Sequence, residues 1–295
     1  MAEPVFRRLA LIGVGLIGSS IAHRARAGGD LAGEIVACAQ SAATRARVRE
    51  LGLADRIEED PAAAVAGADG VMLCTPVGTY GAIAAAMAPA LTPGAIVSDV
   101  GSTKQSVLRD VAPHLPEGVH FVPGHPLAGT EHSGPDAGFA TLFEGRWTIL
   151  TPPAACDPAA VARVSEFWRR CGAMVETMEA GHHDRVLAIV SHLPHLIAFT
   201  ICGTADDLAD ESRSQVLKFA ASGFRDFTRI AASDPVMWRD VFLNNREALL
   251  EMLARFMEDA QAMARAVRWA DGAYIEDKVK RGRKIRQSLI DLNQA

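Results

Sequence analysis

The most constraining stretch of the chain is Leu9-Ala10-Leu11-Ile12 running directly into Gly13-Val14-Gly15-Leu16-Ile17-Gly18. An apolar run of strand length that ends in Gly-x-Gly-x-x-Gly and opens a helix near Leu16 is the setting a dinucleotide fingerprint requires. Gly13 permits the tight turn, Gly15 lets backbone approach a pyrophosphate, and Gly18 lets helix and strand pack closely. Leu16 and Ile17 then sit at the helix N-terminus that faces the anion.

The same alternation continues along the chain. Ile35 to Ala39, Val71 to Cys74, Ala95 to Asp99, His120 to Pro123 and Trp147 to Thr151 read as short strands separated by helical stretches. That pattern predicts a Rossmann-type, doubly wound α/β domain over residues 1–178. From there the strand-like runs stop, and residues 179–295 read as an all-helical domain. Within it Leu249, Leu250, Leu253, Phe256, Met257, Ala260, Met263 and Val267 recur at three- and four-residue spacing, a stripe for core packing or for the interface of a homodimer.

Composition removes several classes. A net charge of −5 gives no general attraction to nucleic acid, and the basic tract from Lys278 to Arg286 reads as a solvated helix face. No stretch is expected to combine membrane-spanning length with strong hydrophobicity, so no membrane partner is expected. The basic-then-apolar start breaks on Gly13 and reads as a first strand rather than a signal peptide. The five cysteines are scattered without a Cys-x-x-Cys pair, which fits a reducing cytoplasm and no metal site.

Ligands of such sheets gather at the carboxyl ends of the strands. Thr75-Pro76 follows one of these ends, and Val100-Gly101-Ser102 follows another, where backbone is expected to line the nicotinamide ribose. The second strand ends Cys38-Ala39-Gln40-Ser41, with Gln40 where an acidic residue usually grips the adenosine ribose. Ser41, Thr44 and Arg45 are placed to accept a 2′-phosphate, so NAD is expected and NADP stays open.

Histidine exchanges protons near neutral pH without special tuning. His125 stands in Gly124-His125-Pro126-Leu127-Ala128-Gly129, read as a rigid loop suited to hold a base, with the ionisable Glu131 just beyond. His192 and His195 interrupt a run that is otherwise apolar from Val186 to Ile201, which implies a polar purpose; no Asp, Glu or Cys follows at ligand spacing for a metal. Arg229, one turn after Asp226, is a candidate fork for a substrate carboxylate.

Five separated stretches together carry a resemblance: the glycine fingerprint, Asp99 through Lys104, Gly124 through Glu131, Ser191-His192-Leu193-Pro194-His195, and Gly223 through Trp238. In these the chain resembles the prephenate/arogenate (cyclohexadienyl) dehydrogenase family of tyrosine biosynthesis, over about Leu9 to Trp269. The resemblance implies a Rossmann domain for the nicotinamide cofactor, a helical domain that dimerises, and an active site in the cleft between them. It implies that His125 takes the proton of the substrate's ring hydroxyl as hydride leaves the same carbon, and that Ser102 orients both. Arg229 and His195, with His192 beside them, are implied to meet substrate carboxylates, with Glu131 and Asp226 steering access and placing the arginine. Met237 and Trp238 match positions that reach toward the neighbouring subunit. The chain departs from the family pattern at Gln40 and at Ser222, where a glycine is expected to approach the substrate. Prephenate and arogenate both remain open as substrates. The length implies no added mutase or regulatory domain, so tyrosine feedback would act at the active site.

Two rival readings make different demands. Other two-domain dehydrogenases, of the β-hydroxyacid or imine reductase type, lean on a helical-domain lysine or on few ionisable groups, and here Lys218 is the only lysine between Gly181 and Lys278. A non-catalytic nicotinamide-binding sensor has no need of His125, Ser102 and Arg229 together.

Overall fold

The first strand, β1 (Phe6–Ile12), is polar only near its start and buried on both faces from Leu9 onward, as a central parallel strand must be. In the computed structural model, which describes residues 3–208, 215–216 and 218–292, it pairs in parallel with β2 (Ala32–Cys38) on one side and β4 (Gly70–Leu73) on the other. With β3 (Arg56–Glu58), β5 (Ile96–Asp99) and β6 (His120–Val122) they form a six-stranded sheet in the order β3-β2-β1-β4-β5-β6, parallel throughout. The reversal of winding between β1 and β4 places the ligand crevice at their carboxyl ends.

Helices cover both faces. Helix α1 (Leu16–Gly28) packs Ile21, Ala22 and Ala25 into one cluster with Leu9, Leu11, Phe143, Phe167 and Trp168. The opposite face holds Ala10, Ile12, Val71, Val97, Tyr80, Met87 and Val107. The intervening helices are α2 (Ala42–Glu50), α3 (Pro61–Val65), α4 (Tyr80–Met87), α5 (Gln105–Val111) and α6 (Pro158–Arg170).

Three short strands depart from the sequence expectation. His125 lies in β7 (Gly124–Pro126), a strand rather than a loop. β7 runs antiparallel to β8 (Trp147–Leu150), which pairs in parallel with β9 (Met174–Thr177); this is a separate three-stranded sheet, so the Trp147 run is not part of the large one. Pro126 lacks an N–H, but β7 is an edge strand, where a missing donor is tolerated. β3, β7 and β9 have three or four residues each, too short for period-two patterning to show.

After β9 the regular elements among the described residues are all helices. Helix α7 (Ala180–Leu187) passes through a π-helical turn, Ala188–His192, into α8 (Leu193–Asp206) without a break. Pro194 has no N–H to continue an α-helical ladder, and the widened turn before it absorbs the mismatch. The run Ala180–Asp206 corrects one expectation: an 18-residue window within it has a mean hydropathy of 1.8, so by length and composition it is long and apolar enough to cross a membrane. Its first turns nevertheless carry the buried polar pair His183 and Asp184. Helices α9 (Ser222–Thr228), α10 (Pro235–Asn244), α11 (Arg246–Arg268) and α12 (Gly272–Asp291) follow. Asp234 and Asp271 cap α10 and α12 by accepting the Met237 and Tyr274 amides at 2.8 Å and 3.0 Å.

The change at residue 178 is one of secondary structure. Compactness divides the chain later, into residues 1–246 and 247–295. In the second unit the periodic stripe is only partly covered: Leu250, Phe256, Met257 and Val267 are all exposed.

The first unit is tied together by a buried ion pair. Lys104, fully buried, donates from Nζ to Asp99 Oδ2 and to the Gly124 carbonyl at 2.6 Å, while Asp99 accepts the amides of Gly101 at 2.7 Å and Gly124 at 3.1 Å. The pair joins β5 to β7, two different sheets. Lys104→Met would leave the Asp99 carboxylate buried without its cation, and urea unfolding should show a loss of about 3 to 5 kcal/mol; an unchanged midpoint would refute the linking role.

Candidate active site

The glycine turn has the geometry its spacing predicted. Gly13 has φ +98°, and a Cβ there would lie 2.7 Å from Thr75 Cγ2 and 2.8 Å from the Cys74 backbone. A Cβ on Gly18 would collide with the Gly13 carbonyl oxygen, so helix and turn pack as closely as backbone permits. At Gly15, the N-cap of α1, a Cβ would meet nothing within 4 Å. This glycine is therefore not required by packing. It faces open space in front of free helix N-terminal amides, with no acidic side chain in the first turn. The cradle suits a pyrophosphate.

The end of β2 lies against this turn, since the Gly13 amide donates to the Cys38 carbonyl at 2.9 Å. Here Ser41 caps α2 by accepting the Thr44 amide at 3.4 Å. Arg45 is already engaged: it donates to the Ala39 and Gln40 carbonyls at 2.9 Å and 2.6 Å and pairs with Glu59 at 2.7 Å. Glu59, an exposed carboxylate just past β3, was not singled out from the sequence because it sits in an acidic run, Glu58-Glu59-Asp60, that resembles any solvated turn.

Beyond β4 and β5, Thr75 accepts a hydrogen bond from Thr79 at 2.8 Å, Pro76 is exposed, and Val100 donates its amide to Leu73 at 3.1 Å. Gly101 is buried where a Cβ would strike Val77 at 2.5 Å. Ser102 is half-buried in the loop that leads to Lys104, and Lys104 in turn holds the Gly124 carbonyl beside His125. The two sequence-predicted catalytic residues are thus joined through one lysine.

His125 is the head of a buried chain of polar groups. Its Nδ1 lies 2.9 Å from His183 Nε2, and His183 Nδ1 lies 2.8 Å from Asp184 Oδ1. Asp184 also accepts the Lys104 amide at 2.8 Å and the Gln105 amide at 2.9 Å, closing the N-terminus of α5 from another segment. Asn245 donates to the Asp184 carbonyl at 2.8 Å and lies 2.9 Å from His192 Nδ1. Burial and the neighbouring His183 and Lys104 push His125 well below the ordinary histidine value; burial lowers His183 too and brings His192 to about 4. These rings are neutral at pH 7.

His192 is fully buried, so it supports the site from behind; its Nε2 is a buried polar atom without a partner. His195 is half-buried and stacks on Trp238 with centroids 3.7 Å apart. The Trp238 ring is engaged within its own chain, against His195, Phe199 and Phe242, while Met237 beside it is exposed. His195 Nδ1 donates to the Ser191 carbonyl at 2.9 Å, so Nε2 of the neutral ring is an acceptor and donates to an anion only after protonation. Arg229 is exposed, with Nη1 4.0 Å from Glu131 Oε2; Asp226 and Ser222 are exposed on α9.

His183, Asp184 and Asn245 were missed in the sequence. His182-His183-Asp184 at the start of a helix reads as a solvated first turn, and only packing turns two of the three inward.

The chain matches two family models that together span most of it: the prephenate dehydrogenase nucleotide-binding domain over residues 22–177 and the prephenate dehydrogenase dimerization domain over residues 179–280. The first match begins after the glycine fingerprint, which therefore stands on its own geometry. A cyclohexadienyl dehydrogenase from Zymomonas mobilis is 43% identical over 97% of each chain. A prephenate dehydrogenase from Bacillus subtilis is 31% identical over 95% of this chain and 76% of its own. The crystal structure of the Aquifex aeolicus prephenate dehydrogenase in complex with hydroxyphenyl propionate and NAD+ superposes with a TM-score of 0.87 at 33% identity, covering 96% of this chain and 98% of that one. This chain belongs to the prephenate dehydrogenase family.

Proposed function

We propose that the chain is an NAD-dependent prephenate or cyclohexadienyl dehydrogenase that converts prephenate to 4-hydroxyphenylpyruvate with loss of carbon dioxide. The observation that carries this reading is His125, a neutral imidazole held by His183 and joined through Lys104 to the loop of Ser102, on the strand that follows the carboxyl edge of the sheet.

NAD, when bound along Gly13, Gly15 and Gly18, supplies the hydride acceptor for the ring carbon that bears the hydroxyl. His125 removes the hydroxyl proton, and Ser102 orients that hydroxyl. Departure of the ring carboxylate then makes the ring aromatic. Arg229 offers its fork to a substrate carboxylate, and Glu131 keeps the guanidinium near the mouth of the site. His195 serves a second carboxylate in its protonated form, which the carboxylate itself favours. Asp226 and Ser222 border the same entrance. The engagement of Arg45 by Glu59 supports NAD over NADP, because a carboxylate beside the ribose pocket repels a 2′-phosphate.

The exposed apolar residues of α11 are suited to pack against a second copy, in accord with the dimerization model. A cytoplasmic setting accords with five free thiols.

Reduced-cofactor formation should appear with prephenate and NAD, and no turnover with either prephenate or arogenate would sink the reading. His125→Asn should lower kcat by about 10²- to 10⁴-fold with KM nearly unchanged, whereas Arg229→Ala should chiefly raise KM; the reverse pattern would exchange their roles. Glu59→Gln should raise kcat/KM for NADP relative to NAD by roughly tenfold, the effect of ~1.4 kcal/mol of relieved repulsion; an unchanged ratio would place the ribose pocket elsewhere.

Stability should depend on acid in a defined direction. The unfolded chain protonates its histidines from about pH 6.5 downward, while folded His125, His183 and His192 resist it. The unfolded state then binds more protons, so stability falls as pH drops from about 6.5 to about 4, by up to about 1.4 kcal/mol per pH unit for each group. Denaturation midpoints across that range test this, and a flat profile contradicts it.

A further inference from the structure

We propose that His183 and Asp184 are positioning residues that fix the tautomer of His125, placing its proton on Nδ1 and leaving Nε2 as the proton acceptor for the reaction. The inference rests on His125 being the base, and it follows from tracing donors along the buried chain.

Both Asp184 oxygens accept backbone amides, from Lys104 and Gln105. A carboxylate is acceptor-only, so the third group on it, His183 Nδ1 at 2.8 Å from Oδ1, must donate. His183 is fully buried, with the Lys104 ammonium among the charges opposing a second proton. A neutral His183 with its proton on Nδ1 has a lone pair on Nε2. That lone pair faces His125 Nδ1 at 2.9 Å, so His125 donates there and carries its own lone pair on Nε2, at the far edge of the ring.

The opposite order, with His183 Nε2 donating, would put the His125 proton on Nε2 and abolish the base. Asp184 is therefore what sets the direction. When Nε2 takes the proton, the O–H bond of the substrate breaks, an N–H bond forms, and the imidazolium is held by an acceptor chain that ends in a carboxylate. The same logic orients a histidine between a nucleophile and an aspartate in hydrolases, here with a second imidazole interposed. The charged and titratable groups facing His125 are His183 from α7, His192 from the π turn and Lys104 from the loop before α5, with Asp99 and Asp184 behind them.

The test reads the tautomer directly. Protein labelled with ¹⁵N in its histidine rings is examined at pH 7 by long-range ¹H–¹⁵N correlation, with His125 assigned by its loss in His125→Asn. The expected result is a protonated Nδ1 and a bare Nε2 at His125 in the wild-type protein. His183→Leu should abolish that preference and lower kcat by about 10²-fold or more with KM within about threefold. His183→Gln, whose side-chain carbonyl can accept from His125 Nδ1, should restore the tautomer and much of kcat. A proton on Nε2 in the wild-type protein, or His183→Leu with unchanged tautomer and kcat, would overturn the proposal. Absence of turnover in wild-type protein that shows the Nδ1 tautomer would instead count against the dehydrogenase reading alone.

Discussion

The carboxylate of Asp184 is the contact on which the site depends. Through two backbone amides it closes the N-terminus of α5, the helix that follows the Ser102 loop, and through His183 it reaches His125. One side chain on the first helix of the all-helical segment thereby aligns elements that come from the large sheet, the small sheet and the helices. Moving α7 by an ångström would disturb the amide pair and the imidazole pair together, because all four contacts converge on one residue and its neighbour.

The site is also an arrangement for keeping charge out of a dry place. Asp99 and Lys104 neutralise one another at full burial, and the Asp99 carboxylate also accepts the backbone amides of Gly101 and Gly124. His125, His183 and His192 are neutral for the same reason, since burial penalises the protonated ring. A base that is neutral at rest and gains charge only as it works is what proton abstraction at pH 7 requires. If His125 is the base proposed above, the surroundings that depress its affinity for a proton also keep it neutral and ready, with Asp184 supplying negative charge at the far end of the chain.

At the cofactor end the division of labour among the glycines is physical rather than formal. Gly13 is demanded by a positive φ and Gly18 by contact between backbones, whereas Gly15 is demanded by nothing inside the protein. A glycine with open space before it at a helix N-terminus makes sense only with a ligand in that space. The short ion pair between Arg45 and Glu59 lies beside this turn, at the end of β2, where the proposed preference for NAD over NADP would be set.

Patterns of neighbouring residues were enough to read the glycine turn, the alternating strands up to β6, the helical remainder and His125, because each depends on contacts close in sequence or on a residue type with one strong use. The recurrence of five separated stretches carried the family. What sequence could not reveal was which polar residues turn inward. His183 and Asp184 look like a solvated first turn and Lys104 like the flank of a loop until the fold brings Asp184 to the Lys104 amide, 80 residues away, and the pairing of Arg45 with Glu59 is likewise visible only in the structure. β7 and β9 escaped notice for the same reason, since a three- or four-residue strand is defined by its partner rather than by its own pattern. The sequence by itself determined the fold class and the cofactor turn, and it marked His125 as the candidate base. Only the tertiary structure decided which nitrogen of that base faces its neighbours and which charges surround it, because hydrogen bonds between distant segments follow from packing and leave no local trace.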